Sequence, residues 1–131
     1  MTSAKSAVEA ASYQFLSGHI ARAAVYQDVP DNASALNGLV IIGDVASRRI
    51  PEKPRSRDRI VTLTIVTLYE AEERAPLLAV MDEIDALDDQ TLTFEGWTLA
   101  FAFEDDDATL QEDGVTYAGI TTFTILALAP D

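Results

Sequence analysis

Between residues 59 and 103 the spacing of apolar side chains changes twice, and that change limits the folds open to the chain. "RIVTLTIVTLY" (59–69) alternates Val61, Leu63 and Ile65 against Thr62 and Thr64, the period of a strand with one apolar face, before its second half becomes apolar on both. "APLLAVMDEIDALDD" (75–89) then puts Leu77, Val80, Met81, Ile84 and Leu87 on one stripe, with Asp82, Glu83 and Asp85 on the other side. Pro76 suits the first turn of such a helix. "GWTLAFAF" (96–103) returns to a period of two, with Trp97, Leu99, Phe101 and Phe103 opposite Thr98, Ala100 and Ala102. A one-sided helix between one-sided strands has to bury its stripe on the sheet, so the Trp97–Phe103 face is expected to pack against Leu77, Val80, Met81, Ile84 and Leu87.

The flanking segments extend this pattern. "SAVEAASYQFLSG" predicts a helix over about residues 4 to 17, with Ser6 and Glu9 at capping-box spacing, Val8, Ala11, Phe15 and Leu16 at helical intervals, and Gly18 at its end. "AAVYQDVPDN" reads as a short strand ending before Pro30, and "LNGLVIIGDVA" as a second strand centred on Val40, Ile41 and Ile42. After Asp113-Gly114, "VTYAGITTFTILALA" reads as a long closing strand. The expected fold is α+β, a mostly antiparallel sheet of about five strands with two helices packed on one face, in a single domain over residues 1–131. Irregular structure is expected in the first few residues, in the proline-containing basic stretch and in a polar turn at 104–114.

Charge is distributed as unevenly as hydropathy. The chain carries a formal net charge of −13, yet "RRIPEKPRSRDR" (48–59) holds six of its nine Lys and Arg residues. That stretch has a net charge of +4, leaving −17 on the remainder. Pro51 and Pro54 cannot donate ladder hydrogen bonds, so an exposed loop or extended arm is expected to join the second and third strands there. The acidic body disfavours wrapping by nucleic acid.

Catalytic signals are weak. The absence of cysteine removes disulfides, thiol nucleophiles and thiolate metal sites. His19, the one histidine, has no acidic neighbour in sequence and reads as a surface or capping residue. No nucleophile elbow or phosphate-binding loop occurs. The carboxylates at 82–85, 88–89 and 104–107 are of the type that binds hard cations, but the calcium-loop spacing is not met, and a solvated or partner-facing charge is the better reading. No catalytic, cofactor-binding or metal-ligating residue is therefore assigned. No apolar run reaches the length of a membrane span, and the N-terminus does not read as a signal peptide, so a soluble, unexported protein is expected.

"VYQDVPDN" (25–32), "LVIIGDVA" (39–46), the strand and helix from Asp58 to Leu87, and "WTLAFAFEDDDATLQEDGVTYAGITTFTI" (97–125) resemble, in that order, the tail completion or tail terminator proteins of long-tailed bacteriophages and phage-like gene transfer agents. The resemblance covers about residues 7 to 127. It implies a non-enzymatic subunit of a virion or phage-like particle, assembled in the bacterial cytoplasm. Such subunits form a hexameric ring on the head-proximal end of the tail tube, stop its polymerisation and join it to the head. The implied partners are other copies of the chain, the tail tube protein and a head-side connector protein, with DNA passing through the lumen and no membrane or cofactor involved. Two departures stand out: Tyr69 occupies a position where Trp is common, and the 48–59 stretch is unusually basic. Arg48, Arg49, Lys53, Arg55, Arg57 and Arg59 are candidates for contact with a neighbouring subunit or tail protein, against a solvated loop or DNA contact in the lumen. Two other functions stay open at this level: a cytoplasmic adaptor for a basic partner, and a small metal-dependent hydrolase built on the carboxylate clusters.

Overall fold

The alternating segments at 59–70 and 116–127 pair residue for residue and form the centre of a six-stranded sheet. The computed structural model describes residues 2–131. In chain order the elements are α1 (Ala4–His19), β1 (Ala24–Tyr26), β2 (Leu39–Arg49), β3 (Arg59–Glu70), α2 (Ala75–Ile84), β4 (Thr91–Phe94), β5 (Trp97–Leu110) and β6 (Thr116–Leu128). Single 3-10 turns at Ala35–Asn37 and Asp85–Leu87 precede β2 and follow α2. The sheet order is β1-β2-β3-β6-β5-β4; β1 runs parallel to β2 and every other pair is antiparallel.

Register explains which face is buried. Val61 opposite Ile125, Leu63 opposite Phe123 and Ile65 opposite Thr121 all lie on the face covered by the two helices. Ala7, Val8, Ala11 and Leu16 of α1 join Val80 and Ile84 of α2 in one core with them. At about 25 cal/mol per Å² of apolar surface, burying side chains of this size contributes roughly 1.5–3 kcal/mol each. The opposite face pairs Thr62 with Thr124, Thr64 with Thr122 and Val66 with Ile120, and no helix covers it.

Several expectations are corrected. Helix α1 is capped by Ser3, whose Oγ accepts from the Ser6 N–H at 3.2 Å, so Ser6 and Glu9 lie inside the helix. Gly18 does not end it; the helix runs on to His19, whose ring stacks on Phe15 with centroids 4.0 Å apart. The sheet has six strands because "TLTF" forms β4. It turns back through Glu95 and Gly96, both with positive φ, a backbone shape matched to tight hairpins. The polar stretch from 104 is not a turn: β5 continues through its acids to Leu110, because β6 offers a ladder partner all the way to Tyr117. A bulge at Glu104 absorbs one extra residue there.

The predicted helix-on-strand contact is met in part. Helix α2 itself rests on β6 and β3, while Leu87, in the 3-10 turn that meets β5, shares one core with Trp97, Leu99 and Phe101. Trp97 is held by a residue far away in sequence, its Nε1 donating to the Thr2 carbonyl at 3.0 Å. Phe103 falls outside the core, 39% exposed, with its ring edge-on to Phe123 at 6.1 Å.

Candidate interaction surface

The basic stretch is partly strand. Arg48 and Arg49 end β2, Arg59 begins β3 opposite Arg49, and the loop proper is only 50–58. All six basic residues thus sit at one end of the sheet, as the sequence implies, but they are not equivalent. Asp58 anchors the loop: its Oδ1 accepts from the Ala129 N–H at 2.7 Å, and its Oδ2 meets Lys53 Nζ at 3.4 Å. The Ala129 hydrogen bond, followed by those from Ser56 and Lys53, holds the Asp58 carboxyl below its ordinary value, outweighing the opposing effect of burial. Arg57 donates to the Pro130 carbonyl at 2.7 Å, and Arg59 donates to the Ser56 and Asp58 carbonyls at 2.9 and 2.8 Å. Lys53, Arg57 and Arg59 therefore build the loop. Arg48 and Arg55 make no hydrogen bond or ion pair among the described residues, and Arg49 reaches only the Pro54 carbonyl at 3.5 Å.

The acids that replace the expected turn form the opposite feature. Glu104, Asp105, Asp106 and Asp107 are exposed along β5, and among the described residues none of them is in an ion pair. Burial, then the charges of Asp106, Asp82 and Asp88, raises the pKa of Asp85 beneath them. At the hairpin tip Asp113 caps its own turn, taking the Thr116 hydroxyl at 2.7 Å and the Val115 and Thr116 N–H groups at 2.9 Å. Those bonds, the Thr116 hydroxyl first, lower its pKa.

Among the described residues no three carboxylate or imidazole groups are disposed to hold a metal ion, so the clusters at 82–85, 88–89 and 104–107 do not merge into one site. A cavity of about 230 Å³ at the base of the arm is lined by Ser3, Lys5, Ser47, Arg57, Arg59 and Trp97, without a paired acid and base. Among the described residues no helix is long and apolar enough to cross a membrane.

Two backbone edges went unseen in the sequence. Strand β1 pairs only with Leu39–Ile41, which leaves the outer edge of β2 without a strand partner from Ile42 to Arg49. On the far side β4 pairs only with Trp97–Ala100. Gln90 and Asp88 take the next amides, of Phe101 and Phe103, and from Glu104 to Leu110 the outer edge of β5 has no strand partner among the described residues. The contrast in length between the short β1 and β4 and the long β2 and β5 that they border leaves those edges open.

No family model matches the chain, and no curated protein matches it. Among solved structures it is similar to a chain described as "Virion of native gene transfer agent (GTA) particle", at 23% sequence identity and a TM-score of 0.74, over 92% of this chain and 94% of that one. At that identity the likeness is one of fold, and it runs through both chains nearly end to end.

Proposed function

We propose that this chain is a structural subunit of a phage-like particle. It closes the head-proximal end of the tail tube as a ring of copies, stops tube polymerisation and offers the surface to which the head joins. The observation that carries this reading is the end-to-end fold likeness to a gene transfer agent virion chain. It supports the coarser reading, a structural protein of a phage-like particle, and the finer role comes from the ordered segments that resemble tail terminators. The ring reading, six copies by that resemblance, places the tail tube protein on one side and a head-side connector on the other, after assembly in the bacterial cytoplasm. The role asks for exposed, organised surface rather than a pocket, which agrees with an uncovered sheet face, basic residues gathered at one end of the sheet and acids along the outer edge of β5.

Deleting the gene and imaging the particles tests it. Tails of uncontrolled length, or heads and tails left unjoined, restored by supplying the chain in trans, is the expected result. Normal tails with normal transfer activity sink the reading.

A further inference from the structure

We propose that the two bare strand edges pair with each other between copies: residues 45–49 of β2 in one copy add antiparallel to residues 106–110 of β5 in the next. This deepens the ring reading above by naming the contact that joins its subunits.

Unpaired strand edges are templates for another chain, and proteins normally blunt them. Among the described residues both edges stay without a strand partner, one on each side of the same sheet, and they carry opposite charge: Arg48 and Arg49 on β2, Glu104 to Asp107 on β5. Pairing like edges would set acids against acids or arginines against arginines, which is destabilising across a ladder. The pairing left is β2 to β5, a head-to-tail contact of the kind that closes rings. The acids act as a filter on a run that is otherwise a poor strand former, admitting a basic edge and repelling its own copy.

The faces agree with this register. Within the chain Arg49 shares the helix-covered side of its ladder with Arg59 and Ala127, and Asp106 shares that side with Thr121. Arg48 and Asp107 lie on the open side, beside Ile60 and Ile120. Setting Arg49 opposite Asp106 therefore sets Arg48 opposite Asp107, and both sheet faces continue unbroken into the neighbour; a slip of one residue would turn every side chain to the wrong face. Arg55, in the loop beyond Arg49, then lies nearest Glu104 and Asp105.

The offset between the two edges matches a closed sheet. Arg49 and Asp106 are separated by six rows of the β6 ladder, Ala127 to Thr121. Six rows at ~3.3 Å are about 20 Å, against about 19 Å for four strands at ~4.8 Å spacing, so the strands incline at roughly 45°, close to the ~35–45° at which sheets close into barrels.

The cysteine-free chain makes this directly testable. Ala46 and Thr109, both exposed, fall opposite each other in this register. Purified Ala46→Cys and Thr109→Cys proteins, mixed under mild oxidation, should give the covalent heterodimer in several-fold excess over either homodimer. They should also exceed a control mixture of Ala46→Cys with Gln14→Cys, which lies on the exposed side of α1. The excess should be lost when Arg48→Asp and Arg49→Asp are added to the first partner. It should return when Asp106→Arg and Asp107→Arg are added to the second. A heterodimer yield equal to the control, or no recovery on the second reversal, overturns the proposal. The particle assay above is separate: normal tails without the protein would sink the proposed function and leave the cross-link standing.

Discussion

The carboxylate of Asp58 and the amide of Ala129, 2.7 Å apart, tie the end of the basic loop to the end of the last strand. The bond spans 71 residues of sequence, and the same carboxylate faces Lys53 inside the loop. One side chain thus fixes the arm to the sheet, and the arm's exposed arginines inherit its position.

Replacing Asp58 with Ala should cost about 1.5–3 kcal/mol, the range for hydrogen bonds to a charged group, in urea denaturation at neutral pH. Its folded pKa lies below its ordinary value of 3.8, so its contribution is fully present above that value and is lost as pH falls through the lower, folded one. The stability gap between parent and Asp58→Ala should therefore hold from neutral pH to about 5 and narrow below about 4. A gap that stays constant down to pH 3 would show that the charge is not what the Ala129 amide binds.

Phe101 and Phe103 stand at equivalent positions of the alternation but not in the fold. Phe101 is 3% exposed and edge-on to Phe123, whereas Phe103 is 39% exposed. Phe101→Ala should cost roughly 3–5 kcal/mol and threaten a domain of marginal stability. Phe103→Ala should cost less than about half of that, because much of its ring is already in water. Equal losses in matched chemical denaturation would mean that Phe103 is buried in solution by something else, a second copy included.

The difference between those two phenylalanines illustrates what periodicity conveys. Faces are legible because alternation is a property of consecutive residues: the Leu77–Leu87 stripe, the Val61–Ile65 face and the closing strand all lie where their spacing puts them. Where an element stops depends on its partner, which no local pattern records. Glu104–Asp107 would be a loop alone and is a strand because β6 pairs with it; β4 is four residues whose partner returns through a two-residue turn. The clustering of six basic residues was plain in the sequence, but their division into builders and exposed charges depends on Asp58, Pro130 and the Ser56 carbonyl.

Gly43 lies in the β2 irregularity between Ile42 and Val45, where a Cβ would come within 2.8 Å of the Thr64 carbonyl oxygen. A backbone atom of a central strand cannot move aside as a side-chain tip can. Gly43→Ala should cost about 1–3 kcal/mol, the usual penalty for overpacking. It should also change amide-exchange protection along 43–49 more than along β5, since the strain falls on the strand that carries Arg48 and Arg49. Unchanged stability and exchange would mean that the two strands separate there without cost.

The six basic residues should separate into two groups when replaced singly by Ser. Arg57 donates to Pro130 and Arg59 to two carbonyls of the loop, so Arg57→Ser and Arg59→Ser should lower the melting temperature by loosening the junction of loop and C-terminal strand. Arg48 and Arg55 reach no partner among the described residues, and Arg48→Ser and Arg55→Ser should leave stability within about 0.5 kcal/mol of the parent, as surface substitutions usually do. Their effect should appear in assembly. Each removes a charge that steers and registers a neighbouring acidic surface, so incorporation into particles should fall for the pair together, and the defect should grow at low ionic strength relative to the parent because charge attraction is least screened there. Exposed ion pairs contribute only about 0–1 kcal/mol each, so a single replacement should act weakly and the double replacement clearly. Particle incorporation measured across a salt series for Arg48→Ser, Arg55→Ser and the double variant checks this. Parent-like incorporation by the double variant at every ionic strength would make these two arginines solvated charges, with no part in holding subunits together.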